Sequence, residues 1–153
     1  MTIRITSGAP LFQVYDMRAS LAFYRDVLEF EVVDTAPAGP VTHWAMLRNG
    51  GYYLMLNSKY EFDDERPARP DAASEREDVA LYLTCEDADA VFRQLQQKGW
   101  ANIAAPTTAA YGMRQLYVRD PDGFCLCFQH AVKRQAPFVS GAQSGMPTRR
   151  SAS

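Results

Sequence analysis

Few side chains in this sequence could do chemistry, and the three cysteines are the first to consider. Cys125 and Cys127 lie two residues apart in the stretch "YVRDPDGFCLCF", and Cys85 stands alone. In a strand, residues i and i+2 share a face but lie too far apart for a disulfide. Three cysteines at uneven spacing also form no disulfide framework, so we expect reduced thiols. A cysteine needs an electropositive setting to be reactive, and nothing near this stretch supplies one, so we interpret the pair as pocket-lining side chains.

The two histidines, His43 and His130, are the next candidates. Neither stands in the sequence with a second histidine or a carboxylate at metal-ligand spacing. The chain also lacks a nucleophile elbow, a glycine-rich phosphate loop and a Cys-X-X-Cys motif, and Asp122-Gly123 belongs to a turn. The residues alone therefore point to no catalytic group.

The composition of the chain argues against some classes of binding partner. The chain has 153 residues, of which 47% are hydrophobic and 22% charged, as in one ordinary globular domain. No run approaches the roughly 20 apolar residues of a membrane helix, and the first residues lack a signal-peptide pattern, so we expect a cytoplasmic protein. A net charge of -2 gives no electrostatic footprint for nucleic acid. We expect a small-molecule ligand, with neither nucleic acid nor membrane as a partner.

The elements that must position these residues occur in the same order twice. In the first half, Asp16 is placed to cap a helix, and Asn49-Gly50-Gly51 is a hairpin signal. In the second half, Asp87 opens a helix that ends at Lys98-Gly99. The predicted strands of the first half are 9–15, 30–35, 42–49 and 52–58. Those of the second half are 79–84, a weaker one near 100–105, 112–120 and 124–130.

Counting confirms that the order is a repeat. Asp16 and Asp87 are equivalent helix starts, and Gly51 and Gly123 are equivalent turn glycines. Fixed offsets from them relate two pairs of strand positions: Ala9 with Ala80, seven residues before the aspartates, and Met55 with Cys127, four residues after the glycines. We therefore expect a single domain, 1–132, with modules at about 9–58 and 79–130. A solvated linker, 59–78, would join them, and a flexible tail, 133–153, would follow.

Two stretches resemble a known family. "VYDMRASLAFYRDVLEFEVV" is similar to the first strand and helix of the vicinal oxygen chelate superfamily, and "GMRQLYVRDPDGFCLCF" is similar to its closing hairpin. That superfamily contains glyoxalase I, extradiol dioxygenases, and fosfomycin- and bleomycin-resistance proteins. The resemblance spans roughly residues 9–130. It implies an α+β fold of two βαβββ modules, whose curved mixed sheets surround a cavity, commonly within a homodimer.

In metal-using members of the family, four histidines or glutamates on the first and last strands of the modules hold an ion. By the offsets above, these positions fall on Ala9, Met55, Ala80 and Cys127. Alanine offers no ligand atom, a thioether suits copper rather than harder ions, and one cysteine cannot chelate alone. The neighbouring residues are no better if the register is shifted by one. We therefore expect no metal and no cofactor.

Alternation of period two from these positions separates two sheet faces. One face is almost uniformly aliphatic or phenyl and is expected to pack on the helices; Arg114 also points to that side. The other mixes aromatic, thioether and neutral amide side chains, as small-molecule pockets do, and its amides would favour a wet or ligand-filled cavity. The predicted ligand-binding residues are Leu11, Gln13, Trp44, Met46, Tyr53, Met55, Tyr82, Gln115, Tyr117, Cys127 and Gln129. Asn57, Thr84 and Cys125 share that face.

The leading hypothesis is a metal-independent binding protein of the bleomycin-resistance type. It would sequester a small aromatic or heterocyclic compound, with a role in antibiotic resistance. One alternative is an enzyme: a glyoxalase-like lyase or isomerase, or a dioxygenase, that uses a metal at ligands not identified, or a metal-free catalyst with Tyr117 as acid. Another is a pure dimerisation module whose aromatic face is the interface.

Overall fold

The computed structural model describes residues 2–39, 41–60, 66–68, 76 and 78–132. The predicted tail and most of the predicted linker lie outside the described residues. The first half contains β1 (Leu11–Val14), α1 (Met17–Leu21), a π-helical continuation of α1 (Ala22–Val27), β2 (Glu31–Ala36), β3 (Trp44–Asn49) and β4 (Tyr52–Ser58). The second half contains β5 (Ala80–Thr84), α2 (Ala88–Gln97), β6 (Thr107–Thr108), β7 (Met113–Arg119) and β8 (Cys125–Ala131). No helix within these ranges is long and apolar enough to cross a membrane.

The strands form two mixed sheets of four strands each in the described part of the chain, which confirms the predicted α+β fold. Their orders are β1-β4-β3-β2 and β5-β8-β7-β6. In each sheet the first strand runs parallel to the last, and the remaining neighbours are antiparallel. The sheets therefore have the same topology, as a repeat of one βαβββ unit requires.

The register of the sheets agrees with the offsets counted in the sequence. Leu11 pairs with Met55 in the first sheet, and Tyr82 pairs with Cys127 in the second. Each first member lies five residues before its helix-capping aspartate, and each second member lies four residues after its turn glycine. The first and last strands of the two modules are therefore equivalent position by position.

Both predicted helix starts are capped by side chains. Asp16 Oδ1 accepts a hydrogen bond from the Ala19 amide at 3.2 Å. Asp87 Oδ1 accepts from the amides of Asp89 at 2.9 Å and Ala90 at 3.2 Å. These bonds satisfy amides that have no partner within their own helix, and each capping residue of this kind typically stabilises a helix by about 1 kcal/mol.

The prediction of a strand near residues 100–105 is wrong. The chain instead ends α2 with a bond from the Trp100 amide to the Leu95 carbonyl, at 2.9 Å, and then runs as a loop. Trp100 and Ile103 are partly buried against the core, so the apolar pattern reflects packing of a loop and not strand alternation. The strand at this place is the two-residue β6, which pairs with β7.

The hydrophobic core lies between the helices and one face of each sheet. Every second residue along the central strands is buried, as alternation predicts for a sheet covered on one side. The helices contribute Phe23, Tyr24 and Leu95. The buried strand residues include Phe12, Val14, Ala45, Leu47, Leu54, Leu56, Leu116, Val118 and Leu126.

The turn after β7, Asp120–Phe124, joins the two modules, and Asp120 is its centre. Its Oδ1 accepts from the amides of Asp122 at 2.9 Å and Phe124 at 2.8 Å, which fixes the turn. Its Oδ2 accepts from the Tyr24 hydroxyl at 2.7 Å. Tyr24 belongs to the first helix, so a carboxylate of module two is bonded to the core of module one.

Asp122 makes a second set of bonds across the same boundary. Its Oδ1 accepts from the Tyr15 amide at 3.0 Å, and its Oδ2 accepts from the Ser20 hydroxyl at 3.3 Å. Beside it, the rings of Phe12 and Phe124 stack with centroids 3.9 Å apart and planes within 2°. We call residues 120–124 the inter-module turn, because its side chains hold β1 and α1 of the other module.

Two described residues of the predicted linker, Pro67 and Arg76, contact Tyr15 and this turn. The Arg76 guanidinium lies 4.1 Å from the Phe124 ring centroid, and its carbonyl accepts from Arg119 at 3.0 Å. The Tyr15 hydroxyl donates to the Pro67 carbonyl. The charge-rich composition of the segment predicts a solvated linker, but these residues contact the folded modules instead.

The inter-module turn predicts a pH dependence of stability. Burial raises the pKa of Asp120 to about 6, so the folded protein holds this proton more tightly than the unfolded chain does. The free energy of unfolding should therefore fall by roughly 3 kcal/mol as pH rises from about 4 to about 7, and Asp120→Asn should remove this contribution. Denaturant unfolding of both proteins across this range measures the difference.

Asp26→Asn is the matched control, because Arg25 beside the exposed Asp26 holds the pKa of that carboxyl below its usual range. Its removal should change the pH dependence with the opposite sign. Parallel stability profiles for the wild type and Asp120→Asn would contradict the account of the turn.

Candidate functional site

The face of the second sheet that points away from the core carries two exposed tyrosines. Tyr82 on β5, Cys127 on β8 and Tyr117 on β7 are neighbours across the strands. The tyrosine rings lie edge to face, with centroids 6.5 Å apart, and their hydroxyl oxygens are 3.3 Å apart. Tyr82 is 53% exposed and Tyr117 44%, whereas Cys127 between them is 0% exposed. The two rings therefore cover the thiol and present their own surfaces to solvent.

Two glutamines continue this face. Gln115, which is 5% exposed, donates from Nε2 to the Tyr111 hydroxyl at 2.8 Å and to Gln129 Oε1 at 3.0 Å. Its Oε1 accepts from the Tyr117 hydroxyl at 3.2 Å. Because Gln115 has these partners, its burial does not by itself require a wet cavity, contrary to our expectation for the amides. We call Tyr82, Gln115, Tyr117, Cys127 and Gln129 the tyrosine face.

The tyrosine face is uncharged at neutral pH. Burial raises the pKa of the Cys127 thiol. The adjoining Tyr82 hydroxyl, followed by desolvation, raises the pKa of the Tyr117 phenol above its usual range. Both groups therefore keep their protons, which makes the thiol a poor nucleophile and the phenol a weak acid. This disfavours the alternative in which Tyr117 acts as a catalytic acid.

The corresponding face of the first sheet is more apolar. Leu11, Met55 and Met46 are neighbours across β1, β4 and β3, in the positions that Tyr82, Cys127 and Tyr117 hold in the second sheet. Leu11 is 42% exposed, and Tyr53 on β4 is 40% exposed. One polar pair joins them, because Asn57 Nδ2 donates to Gln13 Oε1 at 3.1 Å. We call Leu11, Gln13, Trp44, Met46, Tyr53, Met55 and Asn57 the methionine face.

Two clefts border the tyrosine face. A cleft of about 890 Å³ between the modules is lined partly by Tyr82 and Thr84, and one of about 550 Å³ is lined partly by Tyr117, Trp100 and Arg119. Neither of these clefts includes a residue of the methionine face. The structure thus groups the predicted ligand-binding residues on two separate open faces, and one cavity shared by both faces stays a prediction.

Comparison with known proteins identifies the fold family. The model of the Glyoxalase/Bleomycin resistance protein/Dioxygenase superfamily matches residues 7–128. The chain belongs to this superfamily. No curated protein matches the chain.

Solved structures of the superfamily are similar over most of the chain. A glyoxalase/bleomycin resistance protein/dioxygenase from Nocardioides is 18% identical, with a TM-score of 0.66 over 92% of this chain and 93% of that one. An antibiotic binding protein from a Streptomyces species is 25% identical, with a TM-score of 0.57 over 84% and 99%. A bleomycin-binding protein from Streptomyces verticillus, solved with copper(II)-bleomycin, is 20% identical, with a TM-score of 0.57 over 83% and 97%.

The superfamily resemblance implies a metal site at Ala9, Met55, Ala80 and Cys127, and these residues do not fit one. Met55 lies on the methionine face, where it pairs with Leu11 on the neighbouring strand. Cys127 lies on the tyrosine face, where it pairs with Tyr82. The two alanines offer no donor atom. Burial keeps the Cys127 thiol protonated, whereas a metal ligand must be a thiolate. A hard or borderline cation would find at most one soft thioether here.

A different group of possible metal ligands was missed in the sequence. Atoms of Asp87, Asp89 and His130 lie within 4.8 Å of one another, although His130 is about 40 residues away from the aspartates in the chain. The parallel pairing of β5 with β8 brings the end of β8 to the start of α2. The expectation that His130 has no carboxylate at metal spacing is therefore wrong.

These three side chains already have structural partners. His130 Nδ1 accepts from the Ala88 amide at 2.9 Å, and Asp87 caps the same helix. Both oxygens of Asp89 accept from Arg114, at 2.7 and 3.0 Å, and this pairing holds the pKa of Asp89 below its usual range. The group is best described as the cap of α2. Arg114 points to the helix side of the sheet, as predicted.

The cover over Cys127 predicts its reactivity. In the native protein, maleimide should label Cys127 much more slowly than Cys125, which is only half-buried. Tyr82→Ala should open the cover and speed labelling of Cys127 at least about tenfold, because labelling requires exposure of the thiol. Peptide mapping by mass spectrometry assigns the labelled site. Tyr60→Ala, which is on neither sheet face and packs against Tyr15, is the control and should leave the rate unchanged. Equal rates in Tyr82→Ala and the wild type would contradict the cover.

The cap of α2 predicts a structural and not a metal-dependent effect of His130. His130→Ala removes the acceptor of the Ala88 amide and should lower the free energy of unfolding by about 1 kcal/mol. The loss should be the same with and without a chelator. A loss that appears only when divalent metal is present would instead identify these residues as ligands.

Proposed function

We propose that this protein binds a small, uncharged, planar aromatic or heterocyclic compound without a metal ion and sequesters it. The observation that carries the proposal is the tyrosine face, where two exposed tyrosine rings stand beside neutral amides on a rigid sheet. Small-molecule sites usually combine aromatic surface with a few fixed polar groups. A sequestering protein needs no reactive group, and neither face contains one.

Stacking supports an aromatic ligand. Tyr82 and Tyr117 present ring surface to solvent, with 53% and 44% of each residue exposed. An aromatic contact adds about 0.5 to 1.5 kcal/mol beyond the area that it buries. Two such rings, together with Trp44 on the methionine face, supply enough attraction for a planar ligand of modest size.

The side chains that define the methionine and tyrosine faces carry no charge, which supports a neutral ligand. The residues that define the faces are aromatic, aliphatic, thioether, thiol or amide side chains. Arg48 lies beside Tyr53 on the same side of β3 as Met46, but its guanidinium is paired with Glu31 at 2.6 Å. A charged ligand would lose its hydration without gaining a counter-charge, which is costly.

We further propose that the site is completed in a homodimer. Each face is open in one chain, and a second copy could set its methionine face over the tyrosine face of the first. The four half-exposed apolar side chains, Leu11, Tyr53, Tyr82 and Tyr117, would then be covered. Two similar structures are an antibiotic binding protein and a bleomycin-binding protein, which supports a role in antibiotic resistance for this chain. We place this role in the cytoplasm, as the sequence led us to expect.

Loss of ring surface tests the proposal. A thermal-shift screen of planar antibiotics and aromatic metabolites should yield compounds that stabilise the wild type. Tyr82→Ala and Trp44→Ala should each weaken binding of those compounds about tenfold, since each removes a stacking partner from every site. Tyr60→Ala, on neither face, is the control. Dimers that fall apart in Tyr82→Ala, with no compound bound by the wild type, would support a pure dimerisation module instead.

Mixing the two variants tests the shared site. In a mixed dimer of Tyr82→Ala and Trp44→Ala chains, one site carries both changes and the other carries neither. Binding with wild-type affinity should therefore reappear at one of the two sites after mixing. If affinity stays low in mixed dimers, the two faces do not meet between copies.

A further inference from the structure

We infer that the tyrosine face selects its ligand by hydrogen-bond direction: it takes a planar aromatic molecule with a hydroxyl or N–H donor at one edge and a carbonyl acceptor at another. The inference deepens the proposed function and rests on it. It follows from the hydrogen bonds that Gln115 already makes with other side chains of this region.

The amide of Gln115 fixes the direction of the network. Both of its N–H groups are used, one on Tyr111 and one on Gln129, so its nitrogen points away from Tyr117. Its oxygen faces Tyr117, and an amide oxygen can only accept. The single hydroxyl proton of Tyr117 is therefore committed to Gln115. Because Gln115 is only 5% exposed, solvent has little access to its carbonyl oxygen, and Tyr117 is the donor that satisfies it.

This commitment determines what Tyr82 can offer. Tyr117 has no second proton, so in the contact between the two hydroxyls Tyr82 must donate. The oxygen of Tyr82 then keeps only lone pairs for a ligand. Tyr82 therefore acts as an acceptor and requires a donor opposite it.

Gln129 offers the opposite polarity. Its Oε1 accepts from Gln115, while its Nε2 has no acceptor among the residues that the structure describes. Two N–H donors are thus available at this end of the face. A carbonyl oxygen of the ligand would satisfy one of them.

The spacing of the two groups suits a fused-ring ligand. Tyr82 is paired with Cys127 on β8, and Gln129 is two residues further along that strand. Two residues of a strand span about 7 Å, which is comparable to two or three fused aromatic rings. A phenolic ketone or hydroxyquinone has this combination of shape, donor and acceptor.

Matched probes test the direction. We would use 2-hydroxyanthraquinone, which has a donor and carbonyl acceptors, and 2-methoxyanthraquinone, which has a similar shape without the donor. The titrations would be done at mildly acidic pH, where the hydroxyl group of the probe is protonated. The wild type should bind the hydroxy compound about tenfold more tightly than the methoxy compound, because the methoxy compound leaves the Tyr82 oxygen without a donor. Isothermal or fluorescence titration measures both affinities.

Two conservative variants separate the protein groups. Tyr82→Phe keeps the ring and removes the acceptor, so the hydroxy compound should lose its tenfold advantage while the methoxy compound is unaffected. Tyr117→Phe removes the acceptor of the Tyr82 proton, so Tyr82 becomes able to donate. In that variant the methoxy compound should gain affinity while the hydroxy compound keeps its own.

The outcomes distinguish the inference from the proposed function. If both probes bind equally and Tyr82→Phe changes neither, planar ligands bind but hydrogen-bond direction does not select them, and the inference is wrong. A preference for the methoxy compound in the wild type would show that the network runs in the reverse direction, which also overturns it. If neither probe binds, the proposed function fails for fused aromatic ligands, and the inference fails with it.

Discussion

The inter-module turn is the contact on which the rest of this structure depends. Two buried aspartates of module two accept hydrogen bonds from Tyr24, Ser20 and the backbone of Tyr15 in module one. Buried carboxylates are stable only when they are bonded, so these bonds fix one relative placement of the modules. Each sheet can then bury one face against the helices and leave the other open. The motif "DPDG" therefore has a structural role, and the faces available for a ligand follow from it.

The two open faces show what duplication preserved and what it changed. Their strand order and register are the same, but the central trio is Leu11, Met55 and Met46 in one sheet and Tyr82, Cys127 and Tyr117 in the other. Flexible thioethers adapt to the shape of a ligand, whereas tyrosines and amides fix its orientation. The first face is suited to cover a ligand and the second to recognise it. Cys127, one of the four positions at which the superfamily resemblance implies a metal ligand, is a thiol under two rings.

Local patterns predicted most of the fold, because each depends on residues close together in the chain. Strand alternation, the caps at Asp16 and Asp87 and the turns at Gly51 and Gly123 all act over a few residues. The failures came from contacts between distant residues. The apolar residues Trp100 and Ile103 gave the pattern of a strand, but they are apolar because this loop packs on the core. His130 lies near Asp87 only because β5 pairs with β8. The sequence does not distinguish Gln115 from the other amides, because its role depends on its three partners, Tyr111, Tyr117 and Gln129.

Metal-independent binding at the two faces is the central claim, and titration of metal-free protein tests it most directly. The protein would be treated with a chelator, its metal content measured by mass spectrometry, and a planar aromatic ligand from the screen then titrated by calorimetry. The account predicts the same affinity and stoichiometry before and after metal removal, because the faces provide stacking and neutral hydrogen bonds and no adequate ligand set. Binding that is lost with the metal and restored by a divalent ion would contradict it.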